Sequence, residues 1–123
     1  MRKPQTHKVH REKLGRRAEL MAALYLRLKG YRILERRYKT RSGEIDIIAE
    51  RGKILAIIEV KYRKSLTLAH DSLTAKTRAR IQKATDIYLS HTPQKRGFGI
   101  RYDAIFITPP LHISHMKDYW RHY

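Results

Sequence analysis

The sequence contains no cysteine. That excludes disulfides, a thiolate nucleophile and any cysteine-based zinc site, and it fits a reducing compartment. No segment approaches the ~20 apolar residues a spanning helix needs. The start, "MRKPQTHKVHREK", is basic but leads into no apolar stretch, so it reads as a mobile basic arm rather than a secretory signal. Internal repeats, low-complexity tracts, helix-turn-helix and zinc-finger patterns and a paired Ser–His signal are all missing. Acidic residues are the scarcest resource: 11 stand against 28 Lys and Arg, for a formal net charge of +17.

What is present fits one soluble domain. A chain of 123 residues, 41% hydrophobic and 32% charged, can bury one core but not two. Residues 1–10 form the arm and 11–123 the single domain. A charge of +17 attracts polyanions. Nucleic acid, DNA foremost, is therefore the expected partner, with no membrane association. The expected location is cytoplasmic, and nucleoid-associated if the protein binds DNA.

Periodicity gives the order of elements. Leu14, Ala18, Met21, Tyr25 and Leu28, widened by Gly15, Ala22, Ala23 and Leu26, place a helix over 11–29 that Gly30 stops. Tyr31 to Tyr38 reads as an edge strand, Arg41-Ser42-Gly43 as a turn, and "EIDIIAE" as a second strand. Glu50 to Lys53 signals a hairpin into the apolar run Ile54–Tyr62, a central strand. A polar loop follows. A helix over 75–89 carries Ala79, Ala84, Ile87 and Tyr88 near one face, and "RYDAIFIT" is a further strand. The tail "LHISHMKDYWRHY" reads as a short strand with a helical end. The order α-β-β-β-α-β implies an α/β domain, a mixed sheet flanked by helices.

The two most hydrophobic strands carry Glu44, Asp46, Glu59 and Lys61 in their middles. With Arg51-Gly52 as the hairpin tip, Ile48 pairs with Leu55, Asp46 with Ile57 and Glu44 with Glu59, and all four charges emerge on one side of the sheet. Glu19 lies on the small-residue stripe of the first helix and can point at the same cluster. Buried charges need a partner or a metal. Two readings stand: a Glu59–Lys61 pair with Asp46 capping a turn, or a hard divalent cation held by Asp46 and Glu59, with the Val60 carbonyl at hand. The cation reading is favoured, because two carboxylates ~4 Å apart repel by about 4 kcal/mol at an effective dielectric near 20 and Lys61 neutralises only one. Mg²⁺ (or Mn²⁺) takes such oxygen ligands together with substrate phosphate. Lys61 can orient water or stabilise charge on a phosphate, and Glu19 can act as an outer ligand or orient water. Glu44 is an accessory acid.

Arg16, Arg17, Arg41, Arg63, Lys64, Lys76 and Arg80 lie near this site in sequence or by inferred packing, as phosphate contacts that position without reading sequence. His112-x-x-His115 and His7-x-x-His10 lack a third ligand and read as surface or DNA-facing histidines. Tyr25, Tyr31 and Tyr88 fit packing, and Trp120 docks the tail or joins a dimer contact.

These residues resemble a known group. A helical acid, an Asp strand and Glu-x-Lys on the next strand are similar to the PD-(D/E)XK nuclease superfamily, with its restriction-endonuclease-like fold. The similarity is greatest to the YraN-like proteins, an uncharacterised family expected to be endonucleases, and extends to archaeal Holliday-junction resolvases. It covers about Gly15 to Trp120 through "GRRAE", "GYRILERRY", "GEIDIIA", "IIEVKYR", Lys76 and "RYDAI". The resemblance implies Asp46 and Glu59 as metal ligands, Lys61 as catalytic lysine and Glu19 as helical acid. Arg37 stands where the family usually has asparagine, "LAH" before Asp71 lacks a usual Phe-Gly, and "DYW" departs from the commoner ending. The function implied is Mg²⁺-dependent hydrolysis of DNA, branched or damaged, in repair or recombination. Non-catalytic nucleic-acid binding and RNA binding are the alternatives. A homodimer would suit an enzyme that cuts both strands.

Overall fold

The first helix ends where glycine permits it. In the computed structural model, which describes residues 3–121 and side chains from residue 15 on, α1 runs over Lys3–Leu28. Gly30 adopts φ +89°, its N–H donates to the Arg27 carbonyl, and the Tyr31 N–H donates to that of Leu26. This is the paired closure that left-handed glycine gives a helix C-terminus. The helix starts earlier than the periodicity places it. The backbone of the expected arm belongs to it from Lys3 on, while residues 1 and 2 and the side chains of 3–14 lie outside the described residues.

Three strands follow: β1 (Arg32–Lys39), β2 (Glu44–Arg51) and β3 (Ile54–Tyr62). After the helices α2 (Leu66–Ser72) and α3 (Ala75–His91) and one 3₁₀ turn (Pro93–Lys95) come β4 (Gly99–Thr108) and β5 (His112–Trp120). The sheet order is β1-β2-β3-β4-β5. Only β3 and β4 run parallel, a pairing that requires a crossover, and α2 with α3 supplies it. The result is a mixed sheet flanked by helices, of restriction-endonuclease-like topology.

Each face has its own core. Ala18, Ala22, Ala23 and Leu26 of α1 pack on Ile47, Ala49, Ala56, Ile58, Val60, Ile105 and Ile107. Beneath α2 and α3, Ala69, Leu73, Ile81, Ala84 and Tyr88 meet Ile45, Ile48, Leu55, Ile57, Tyr102, Ala104, Phe106 and Trp120. The buried stripe of α3 is Ile81, Ala84, Thr85 and Tyr88. Ala79 is exposed and Ile87 only half-buried. Thr85 can be buried because its hydroxyl donates to the Ile81 carbonyl at 2.8 Å.

Several expectations are corrected. The hairpin tip is Gly52-Lys53, with Arg51 paired to Ile54 and Ile48 to Ile57. Gly52, at φ +60°, takes the first turn position, where glycine is needed. The register therefore moves by two residues, which preserves the faces. The polar loop after β3 contains α2, capped by the Ser65 side chain, which accepts from the Leu68 N–H. Among the described residues the tail is strand over His112–Trp120, where a short strand and a helical end were expected. Trp120 is buried and stacks on Tyr102 at 4.1 Å, so pairing with β4 decides its conformation. His115 is not a surface histidine: it bonds the fully buried Asp103 at 2.8 Å, and Arg101 grips the same carboxylate through two 2.8 Å bonds. His7 and His10 have side chains outside the described residues. Among those residues no helix is long and apolar enough to cross a membrane.

Candidate active site

The site lies where β2 and β3 part. Their ladder extends to Ile47↔Ile58, and one further step sets Asp46 across from Glu59. Asp46 does not continue the ladder; its Oδ2 accepts the Val60 N–H at 2.8 Å. Strict alternation also fails here. Ile45 belongs to the core under α3 and Ile47 to the core under α1, so the chain turns about Asp46. The carboxylates therefore meet at a fork in the sheet, whereas simple alternation put them on one flat face.

Glu59 is buried at 8% exposure, and its Oε2 lies 3.7 Å from the Lys61 ammonium. Small residues bring α1 over the fork. Ala18 and Ala22 are buried, while Gly15 has open space where a side chain would begin, so the alanines rather than the glycine permit the close approach. Glu19 faces a cleft of about 570 Å³ lined by Gly15, Ala18, Glu19, Asp46, Glu59, Val60, Lys61, Tyr62 and Arg63.

Charge is concentrated there. Burial, then hydrogen bonding and repulsion with Glu59, pushes the Asp46 carboxyl well above the ordinary carboxylate range, and the Val60 N–H and Lys61 only partly oppose this. Burial and the nearby Asp46 raise Glu19, against the pull of Arg37. Glu19 Oε2 is buried and has no hydrogen-bond partner. Among the described residues no group of three or more His, Cys, Asp or Glu is placed to hold a metal ion.

The remaining assigned residues spread outward. Arg63 lines the cleft, its Nη1 donating to the Tyr62 carbonyl at 2.8 Å. Arg16, Arg17, Lys64 and Lys76 are exposed. Arg41, Glu44 and Arg80 share a neighbouring depression with Lys39, Thr40, Ser42 and Gly43. Glu44 is thus outside the cleft lining, although its charge helps raise Glu19. Gly43 presses on α3, since a methyl there would lie 2.5 Å from the Arg80 carbonyl oxygen.

Two residues were not assigned to the site from sequence. Tyr62 lines the cleft. Arg37 brings its Nε within 3.4 Å of Glu19 Oε2, and the pairs Arg36↔Ile47 and Tyr38↔Ile45 set it across from Asp46. Extending the pairing argument to β1 would have found Arg37.

Comparison with known proteins identifies the family. The model of the uncharacterised protein family UPF0102 matches residues 18–107. A UPF0102 protein of Rhizobium meliloti is 45% identical over 116 residues, covering 94% of this chain and 95% of its own. One from Chelativorans sp. is 44% identical over 105 residues, covering 83% and 85%. One from Caulobacter vibrioides is 43% identical over 108 residues, covering 88% and 86%. The chain belongs to UPF0102, the YraN-like family its motifs resemble.

Proposed function

We propose that this UPF0102 protein is a Mg²⁺-dependent endonuclease that hydrolyses phosphodiester bonds in DNA, with branched or damaged DNA of repair or recombination as its substrate class. One observation carries the reading. Asp46 and Glu59 meet at the fork of a buried sheet beside the Lys61 ammonium, all lining one open cleft on a molecule of net charge +17. A protein that only binds polyanions has no use for acids that repel phosphate.

The donor set fits a hard cation. Mg²⁺ or Mn²⁺ commonly uses one or two carboxylates and fills its remaining positions with water and substrate phosphate; a closed three-residue cage is not required. Asp46 and Glu59 would hold it, and the unpartnered Oε2 of Glu19 is a third acceptor facing the same cleft. When bound, the cation supplies polarisation of the scissile phosphate and acidification of water. Lys61 places positive charge where the phosphate gains negative charge, and it orients the attacking water. Glu19 accepts a hydrogen bond from that water. Arg63 at the cleft, with Arg16, Arg17 and Lys64 around it, holds flanking phosphates, and Arg41, Lys76 and Arg80 extend the contact. A homodimer would place two such clefts on the two strands of a duplex.

The test is cleavage of a labelled panel: linear duplex, single strand, flap, four-way junction and RNA. Each is incubated with Mg²⁺, Mn²⁺ or EDTA, beside the Lys61→Ala protein. Metal-dependent cutting that the variant loses is the expected result, and the substrate cut fastest names the role. Tight binding without cutting in any condition would select the alternative, a non-catalytic nucleic-acid-binding protein.

A further inference from the structure

We propose that Arg37 is an additional phosphate-binding residue beside the cleft, holding a phosphate of the nucleic acid while Glu19 anchors its guanidinium. This rests on the nucleic-acid reading of the site.

Three independent features converge on Arg37. Its backbone is left-handed, at φ +55°, a conformation disfavoured for a residue with a side chain. Strain of that kind persists where surrounding structure imposes it, and it concentrates at functional sites. Its place in the sheet is the second feature, since the register sets it across from Asp46, which itself stands across from Glu59. A row of Arg37, Asp46 and Glu59 thus crosses the fork.

The third feature is how little of the guanidinium is used. Arg37 Nε approaches Glu19 Oε2 to 3.4 Å, yet that oxygen has no hydrogen-bond partner. Elsewhere in the molecule a structural arginine behaves differently. Arg101 closes on Asp103 through two bonds of 2.8 Å, and a third bond from its Nη2 reaches the Tyr31 hydroxyl. Arg37 makes no such closure. Its terminal nitrogens bond no described residue, and 39% of its side chain is exposed while Glu19 is at 12%. Arg37 stands behind Glu19 rather than in the lining of the cleft, and a planar fork of N–H donors with its terminal nitrogens unspent suits a phosphate held bidentately.

Binding measured in EDTA separates this role from cutting. A labelled duplex is titrated by fluorescence anisotropy across a salt series with wild type, Arg37→Asn and Arg37→Lys. Asparagine tolerates left-handed backbone, so Arg37→Asn removes the charge without adding backbone strain, and its melting curve is recorded beside the titration to show that it is folded. The expected result is binding roughly ten- to a hundredfold weaker, as for loss of one hydrogen bond to a charged group. The plot of log affinity against log salt should be shallower by about 0.9, one phosphate contact. Arg37→Lys restores the slope but only part of the affinity. A slope and affinity unchanged in Arg37→Asn would overturn the proposal and leave Arg37 a structural partner of Glu19; Arg37→Gly, which suits the left-handed backbone best, gives the same reading if the asparagine variant fails to fold. Wild type that binds no nucleic acid would instead overturn the reading of the cleft itself.

Discussion

Asp46 is held between opposing demands. Its Oδ2 satisfies the Val60 N–H, yet burial and Glu59 hold its carboxyl well above the ordinary range. A folded carboxyl that keeps its proton more tightly than the unfolded chain loses stability as pH rises from the unfolded value, about 4, through the folded one; above both, the loss is complete. In metal-free buffer at neutral pH, Asp46→Asn should therefore melt higher than wild type. The gain is of the order of 3–6 °C, what about 1 kcal/mol is worth at this size, and it should shrink toward pH 4. Thermal melts at several pH values in EDTA check this. A clear drop in melting temperature would favour the simple Glu59–Lys61 pair, with Asp46 as a structural cap. The same residues show what was legible at this scale. Glu19, Asp46, Glu59, Lys61 and Arg63 were named from sequence and line one cleft. Glu44 was grouped with them by alternation, which fails where the chain turns about Asp46. Tyr62 and Arg37 stood inside quoted motifs, yet nothing in those motifs placed either of them at the acidic site.

Elements with long apolar periods were easy to read, and short ones were not. β3 and β4 are runs of buried residues that no helix period fits. α2 has seven residues and buries only Ala69, too little for a period to show. The tail is polar along most of its length, and its strand is fixed by pairing with β4 and by the stack of Trp120 on Tyr102, both of which are long-range. The hairpin register was missed by two residues because either Arg51-Gly52 or Gly52-Lys53 satisfies a turn pattern, and only the first-position demand for glycine decides. The β1–β2 turn has a sharper constraint. Gly43→Ala would drive a methyl into the Arg80 carbonyl at 2.5 Å, so the turn must lift off α3. The expected loss is about 1–3 kcal/mol, typical of overpacking against fixed structure, read from urea unfolding. An unchanged midpoint would show that α3 yields at that point without cost.

The whole molecule sets acids against its own charge. With 28 basic residues and 11 acidic ones, its mean field repels small cations and draws in polyanions. Three acids nevertheless face one cleft at the fork of the sheet. A metal ion bound there is bound in spite of the global charge, which suppresses the loose surface binding that confuses such titrations on acidic proteins. The most direct measurement is a calorimetric titration of the metal-free protein with Mn²⁺, run beside Asp46→Asn and Glu59→Gln. Saturable binding in wild type, lost or strongly weakened in both variants, is the predicted result. Wild type that takes up no Mn²⁺, or variants that bind it as well as wild type does, would contradict the account and leave the buried acids without a cation to explain them.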